Sequence, residues 1–175
     1  MDTFVPVIID IEASGFGQNS YPIEVGVVFS NGDKFCRLIT PEEHWTYWDS
    51  NAESLHRITR KILLNHGIST KQMAEELNRR LAGMTVYSDC WTVDKPWLDK
   101  LFDAAGTKPS FKVRAIEMIL DEAQLEGWNL AHAQNIDSHA GDRHRASADA
   151  ELIQQTWLNT KTRSQQTRRT STGER

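Results

Sequence analysis

The sequence predicts a mixed α/β domain, and three observations carry that reading. Two apolar, β-branched runs, Phe4 to Ile11 and Ile23 to Phe29, stand near the start. Asn31-Gly32, a strong two-residue hairpin signal, separates the second run from Lys34 to Thr40. Beyond position 50, apolar residues at helical spacing alternate with a short strand. Strands first, then helices alternating with strands, indicate a sheet of three antiparallel strands followed by parallel ones, flanked by helices.

The elements follow in order. Pro41 to Ser50 is a loop carrying Trp45, Tyr47 and Trp48. Ala52 to Asn65 reads as helix, in one piece or two short ones. Ser69 with Gln72 forms a capping box ahead of Met73, Ala74, Leu77 and Leu81, and Gly83 closes that helix. Met84 to Ser88 is a short strand. Lys95 to Ala105 is helical, with Pro96 in its first turn, and further helices are expected over Val113 to Gln124 and Arg145 to Leu158.

Composition narrows the function classes. No run of about 18 apolar residues is present, so no membrane span is expected. Met1 to Phe4 lacks the features of a signal peptide, which makes the cytoplasm the expected location. Cys36 and Cys90 share no metal-type spacing and read as thiols in a reducing compartment. Net charge is −4, which argues against coating nucleic acid by bulk electrostatics. The segment 161–175 holds five basic residues and one acid, leaving −8 for the remainder. A body over 1–160 and a basic, disordered tail over 161–175 are therefore expected.

Three short segments carry chemistry. Ile8-Ile9-Asp10-Ile11-Glu12 places two carboxylates on one face of a strand end. Such a pair calls for a cation, and hard divalent ions select carboxylate oxygen. Alone, the triplet also reads as two acids facing water. Asp89 and Asp94 follow the short strand, and an acid before a helix is ordinarily a cap. His144 precedes Asp149 by five residues at the start of an amphipathic helix, where Ala146, Ser147, Ala148 and Ala150 permit close approach to a sheet. His132 and His139 read as loop histidines.

Together these segments resemble the DEDDh (DnaQ-like) 3′–5′ exonucleases, which have a ribonuclease H-like fold. The resemblance extends to Ser14-Gly15, to Tyr21-Pro22-Ile23-Glu24-Val25-Gly26, and to Leu55-His56-Arg57-Ile58-Thr59, where Arg57 replaces the family's glycine. Val93-Asp94-Lys95-Pro96-Trp97-Leu98 matches a Phe-Asp-x-x-Phe-Leu pattern with Val93 for the first Phe, which favours Asp94 over Asp89. Coverage runs from about Val7 to Leu158.

The resemblance implies that Asp10, Glu12, Asp94 and Asp149 hold two magnesium or manganese ions and that His144 is the general base. It implies that Ser14 and Gly15 approach the terminal nucleotide and that His56 and Ile58 line a base pocket. Trp91 stands near the presumed site as a stacking candidate. Trp45, Tyr47 and Trp48 either cover the sheet or stack on bases. The expected partners are single-stranded RNA or DNA 3′ ends, with RNA slightly favoured for so short a domain, and the family admits a homodimer. An inactive nucleic-acid-binding module and a proofreading-type polymerase subunit are the competing readings.

Overall fold

The computed structural model describes residues 4–138 and 144–172. Its centre is a five-stranded sheet of β1 (Val7–Ala13), β2 (Pro22–Val28), β3 (Lys34–Leu38), β4 (Thr85–Ser88) and β5 (Lys112–Ala115). The strand order is β3-β2-β1-β4-β5. β1 pairs antiparallel with β2, and β2 with β3, while β1–β4 and β4–β5 are parallel. This is the mixed sheet the sequence predicts.

The β2–β3 hairpin forms where Asn31-Gly32 places it, but its loop has three residues. Phe29 and Asp33 face each other, the Gly32 amide donates to the Phe29 carbonyl at 3.0 Å, and only Gly32 has positive φ, at 85°. A two-residue type I′ turn needs positive φ at both positions, so the chain takes the turn-plus-bulge alternative.

Two short helices, α1 (Ser50–His56) and α2 (Arg60–His66), precede α3 (Thr70–Leu81), whose Ser69–Gln72 capping box is complete. Arg57 ends α1 at φ 56°, with its amide donating to the Glu53 carbonyl. A side chain in the left-handed region is strained, and glycine relieves that strain. Arg57→Gly is therefore expected to stabilise the fold by about 0.5–1 kcal/mol after glycine's unfolded-state entropy is counted. Thermal unfolding should register a rise of roughly 1–4 °C; a fall would show that the Arg57 side chain contributes more than its backbone costs.

α4 (Trp91–Ala104) starts four residues earlier than the sequence suggests. Asp94 thus sits inside the first turn rather than ahead of it, where the helix dipole favours an acid. The expected helix over Val113 to Gln124 is replaced by β5, a 3₁₀ turn over Ile116–Ile119 and α5 (Glu122–Ser138). Pairing with β4 captures Lys112 to Ala115, and that tertiary contact overrides the local pattern. His132 consequently lies on a helix, not a loop; His139 falls outside the described residues. α6 runs from Ala146 to Thr172, so its backbone stays helical where a disordered tail is predicted. Once nucleated, a helix gains one hydrogen bond per added residue, which extends α6 beyond the packed turns that end near Leu158.

The sheet buries both faces. Ile9, Ile11, Val25 and Val27 pack with Leu77 and Leu81 of α3 and Leu98 and Leu101 of α4. Ile8 and Val28 pack on the other face against Ile153 and Trp157 of α6. Among the described residues no helix is long and apolar enough to cross a membrane.

Candidate active site

Asp10 and Glu12 share the β1 face that α6 covers. On β2, Gly26 stands opposite Asp10 and Glu24 opposite Glu12. A bulge after Glu12 ends the regular pairing. Gly26 decides how close α6 comes: a Cβ there would lie 2.2 Å from the Ala146 carbonyl carbon and 2.2 Å from the Ser147 nitrogen. The first turn of α6 therefore rests directly on the β2 backbone, which brings Asp149 onto the two strand acids. One oxygen each from Asp10, Glu12 and Asp149 lie within 4.8 Å of one another.

Asp94 lines the same pocket, of about 500 Å³, together with Asp89 and His144. Ser88 Oγ donates to Asp94 Oδ2 at 2.5 Å. Asp94 is also the strongest neighbouring charge felt by Asp10, ahead of Glu12, Asp149 and Asp89. The pocket thus holds both candidate third acids, with Asp94 more tightly coupled to Asp10.

Burial and mutual repulsion make the charged form of these acids costly, so without a cation they hold protons above the usual carboxylate range. Burial, then the surrounding carboxylates, raises Asp10 well above the usual carboxylate range. Glu12 is pushed up to about 8 by burial and by Asp149, Glu24 and Asp94, against the opposing charge of Arg145. Asp94 rises to about 7 through burial and Asp89, although its bond from Ser88 works the other way. Burial also raises Asp89, opposed by His132. Oxygen donors converging at this spacing suit a hard divalent cation, which would offset their mutual repulsion.

His144 closes the pocket. Its φ is 66°, and its amide donates to Asp149 Oδ2 at 3.0 Å. A strained turn at the start of α6 thus carries the histidine that the resemblance groups with the acids.

The five expected substrate contacts lie outside this pocket lining. Ser14 is buried, with its amide bonded to the Tyr21 carbonyl and its Oγ accepting from the Tyr21 amide. A Cβ on Gly15 would meet Tyr47 Cε1 at 2.6 Å, so glycine there lets the aromatic ring pack on the backbone. His56 is buried, its Nδ1 accepting from the Ile58 amide at 3.0 Å, and Ile58 belongs to the core. Trp91 is 38% exposed and donates its indole N–H to the Val113 carbonyl. Of the loop aromatics, Trp45 is core, stacked on Tyr21 at 5.1 Å, whereas Tyr47 is partly exposed.

The structure gives a place in the site to residues that the motif reading names without a role, Glu24 and Trp97, or does not put there, Phe16 and His132. Phe16, Trp97 and His132 line the pocket. Glu24 is fully buried and paired with Arg145. A lone charge in the otherwise apolar stretch Pro22 to Val28 was the available signal. A larger groove, about 980 Å³, lies between Tyr47 and Lys100 and has only Asp99 and Asp103 as acids, so the chemistry belongs to the smaller pocket.

No profile of a known protein family and no curated protein sequence matches the chain. Solved structures do. Escherichia coli exonuclease I in complex with a dA16 oligonucleotide superposes with a TM-score of 0.69 at 11% identity, over 95% of this chain and 42% of that one. The zinc-bound form of the E. coli exonuclease I–single-stranded DNA complex gives 0.66 at 12% identity, over 93% and 41%. A moderately thermophilic exonuclease I from Methylocaldum szegediense gives 0.66 at 11%, over 85% and 38%. The chain therefore spans about two fifths of the length of these proteins. The fold that its motifs suggested is the fold it has: the chain carries the ribonuclease H-like architecture of these exonuclease I structures.

Proposed function

We propose that the protein is a divalent-metal-dependent 3′–5′ exonuclease that releases nucleoside monophosphates from single-stranded ends. The observation that carries this reading is the meeting of Asp10, Glu12 and Asp149 within 4.8 Å in a pocket that His144 also lines. Two magnesium or manganese ions held by Asp10, Glu12, Asp94 and Asp149 would supply Lewis-acid activation of water and charge neutralisation at the departing oxygen. His144 accepts the proton of the attacking water on a ring nitrogen as the water oxygen bonds to phosphorus. The phosphorus–O3′ bond breaks, and the 3′ oxygen leaves with the shortened strand. Phe16 and Trp97 offer apolar surface beside the acids for the terminal base.

The acid cluster also argues against a binding module that has lost its chemistry. Clustered, partly buried carboxylates destabilise the fold and repel a polyanion, so they serve nucleic acid only through cations. The two Escherichia coli exonuclease I complexes named above hold single-stranded DNA, which makes DNA the first substrate to test and gives no support to a preference for RNA.

The test is incubation with 5′-labelled single-stranded DNA and RNA of one sequence, in magnesium, manganese or EDTA. A metal-dependent ladder shortening from the 3′ end is expected. His144→Ala should lower turnover about 10²- to 10⁴-fold while leaving divalent-ion affinity nearly intact. Asp10→Ala should lose both. Intact strands under every metal condition would overturn the assignment.

A further inference from the structure

Glu24 has no place in the reaction above, yet its interactions converge on the site. Its carboxylate is fully buried, directly opposite Glu12 on the neighbouring strand. Like charges so placed repel, and an unpaired buried carboxylate is costly. Arg145 answers both: its Nε lies 3.0 and 3.1 Å from the two Glu24 oxygens, and its Nη2 lies 2.5 Å from Oε1. Glu24 Oε2 also accepts from the Ala146 amide at 2.9 Å.

Those contacts all go to one turn. Arg145 is the residue from which α6 starts, its carbonyl accepting from the Ala148 and Asp149 amides. An arginine has no side-chain acceptor for the first-turn amides, so Glu24 supplies one from across the sheet. On the other side of Arg145, the amide of His144 is held by Asp149. The three-residue turn His144-Arg145-Ala146 is thus gripped by two carboxylates, and its strained first residue carries the imidazole.

We infer that Glu24 is a positioning residue: through Arg145 and the Ala146 amide, its carboxylate fixes the turn that sets where His144 meets the attacking water. This rests on the reading of His144 as general base. Displacement of a catalytic group by about 1 Å can cost on the order of 10²-fold in rate. Glu24 lies behind the pocket lining and touches neither water nor substrate in this scheme.

The experiment compares wild type, Glu24→Gln, Arg145→Lys, His144→Ala and Glu24→Gln/His144→Ala in full-length protein. Activity is measured on labelled single-stranded DNA with manganese, divalent affinity by calorimetry without substrate, and amide hydrogen exchange along α6. Glu24→Gln is expected to lower kcat roughly 10- to 100-fold. KM and manganese affinity should stay within about threefold, and no further loss should appear on the His144→Ala background, where no base remains to be misplaced. Exchange protection should fall at His144 to Ala146 and persist at Leu152 to Trp157. Arg145→Lys, which keeps the charge but loses the fork, should give the same pattern more weakly and serves if Glu24→Gln does not fold. Unchanged kcat, a parallel loss of manganese affinity, additive losses on His144→Ala, or deprotection along all of α6 would overturn the inference. If wild type degrades no strand, the nuclease reading fails by itself. The exchange pattern then decides the grip alone: local deprotection upholds it, and absent or helix-wide deprotection overturns it.

Discussion

Gly26→Ala is expected to abolish nuclease activity and lower thermal stability together. The added methyl would sit 2.2 Å from two backbone atoms of α6 and 2.5 Å from the Ala146 carbonyl oxygen. Backbone cannot rotate away as a side chain can, so the first turn of α6 must lift from β2. Overpacking of this kind costs about 1–3 kcal/mol, a drop of roughly 2–12 °C in melting temperature for a domain of this size. The functional effect should be larger. Asp149 and His144 ride on the displaced turn while Asp10 and Glu12 stay on the sheet, so activity should fall at least about 10²-fold. A scan of melting temperature beside the strand-shortening assay checks both. Wild-type activity in the variant would show that the contact between α6 and β2 does not set the site.

The second large effect couples metal to stability and pH. Without metal, Glu12 and Asp94 have folded pKa values above their unfolded ones, so the folded protein holds protons that the unfolded chain has released. Their contribution is fully present below the unfolded values, and stability then falls with rising pH, from about 4.5 to about 8 for Glu12 and from about 3.8 to about 7 for Asp94. Metal binding to the deprotonated acids is expected to reverse the trend. Manganese at a hundred times its dissociation constant adds about 2.7 kcal/mol, or roughly 5–10 °C, and the rise should be greater at pH 8 than at pH 6. Asp10→Asn should unfold at a higher temperature than wild type in EDTA at pH 8, because one repelling charge is gone, and should lose the rise with manganese. Equal stabilisation of both proteins by manganese would show that the ion binds elsewhere.

Much of this was legible in the residues because local chemistry and tertiary structure agree. The β-branched runs became β1 and β2, the Ser69–Gln72 box formed as read, and period-two spacing put Asp10 and Glu12 on one face. His144 and Asp149 could be joined to them only by resemblance, since nothing local shows a helix first turn landing on a strand. α5 was harder, because its apolar residues do not keep to one side: Ala131 is buried while Leu125 and Leu130 are exposed. Periodicity has little to detect there, which is why the sequence reads His132 as a loop histidine. Glu24 lay deeper still, since its partner is 121 residues away and no spacing rule reaches that far.

The parallel pairing of β4 with β1 involves only Val7 and Ile8. From Asp10 to Ala13, β1 is stitched to β2 alone, and on the side toward β4 the ladder gives way to the pocket that Asp89, Cys90 and Asp94 line. On the proposed reading, a strand end and its ions would reach the acids without any rung of the sheet being undone. The same opening is bordered by Phe16 in a loop and by the first turns of α4 and α6. Under the proposed function, residues of that border rather than of the β1–β2 ladder would set which polymer is taken.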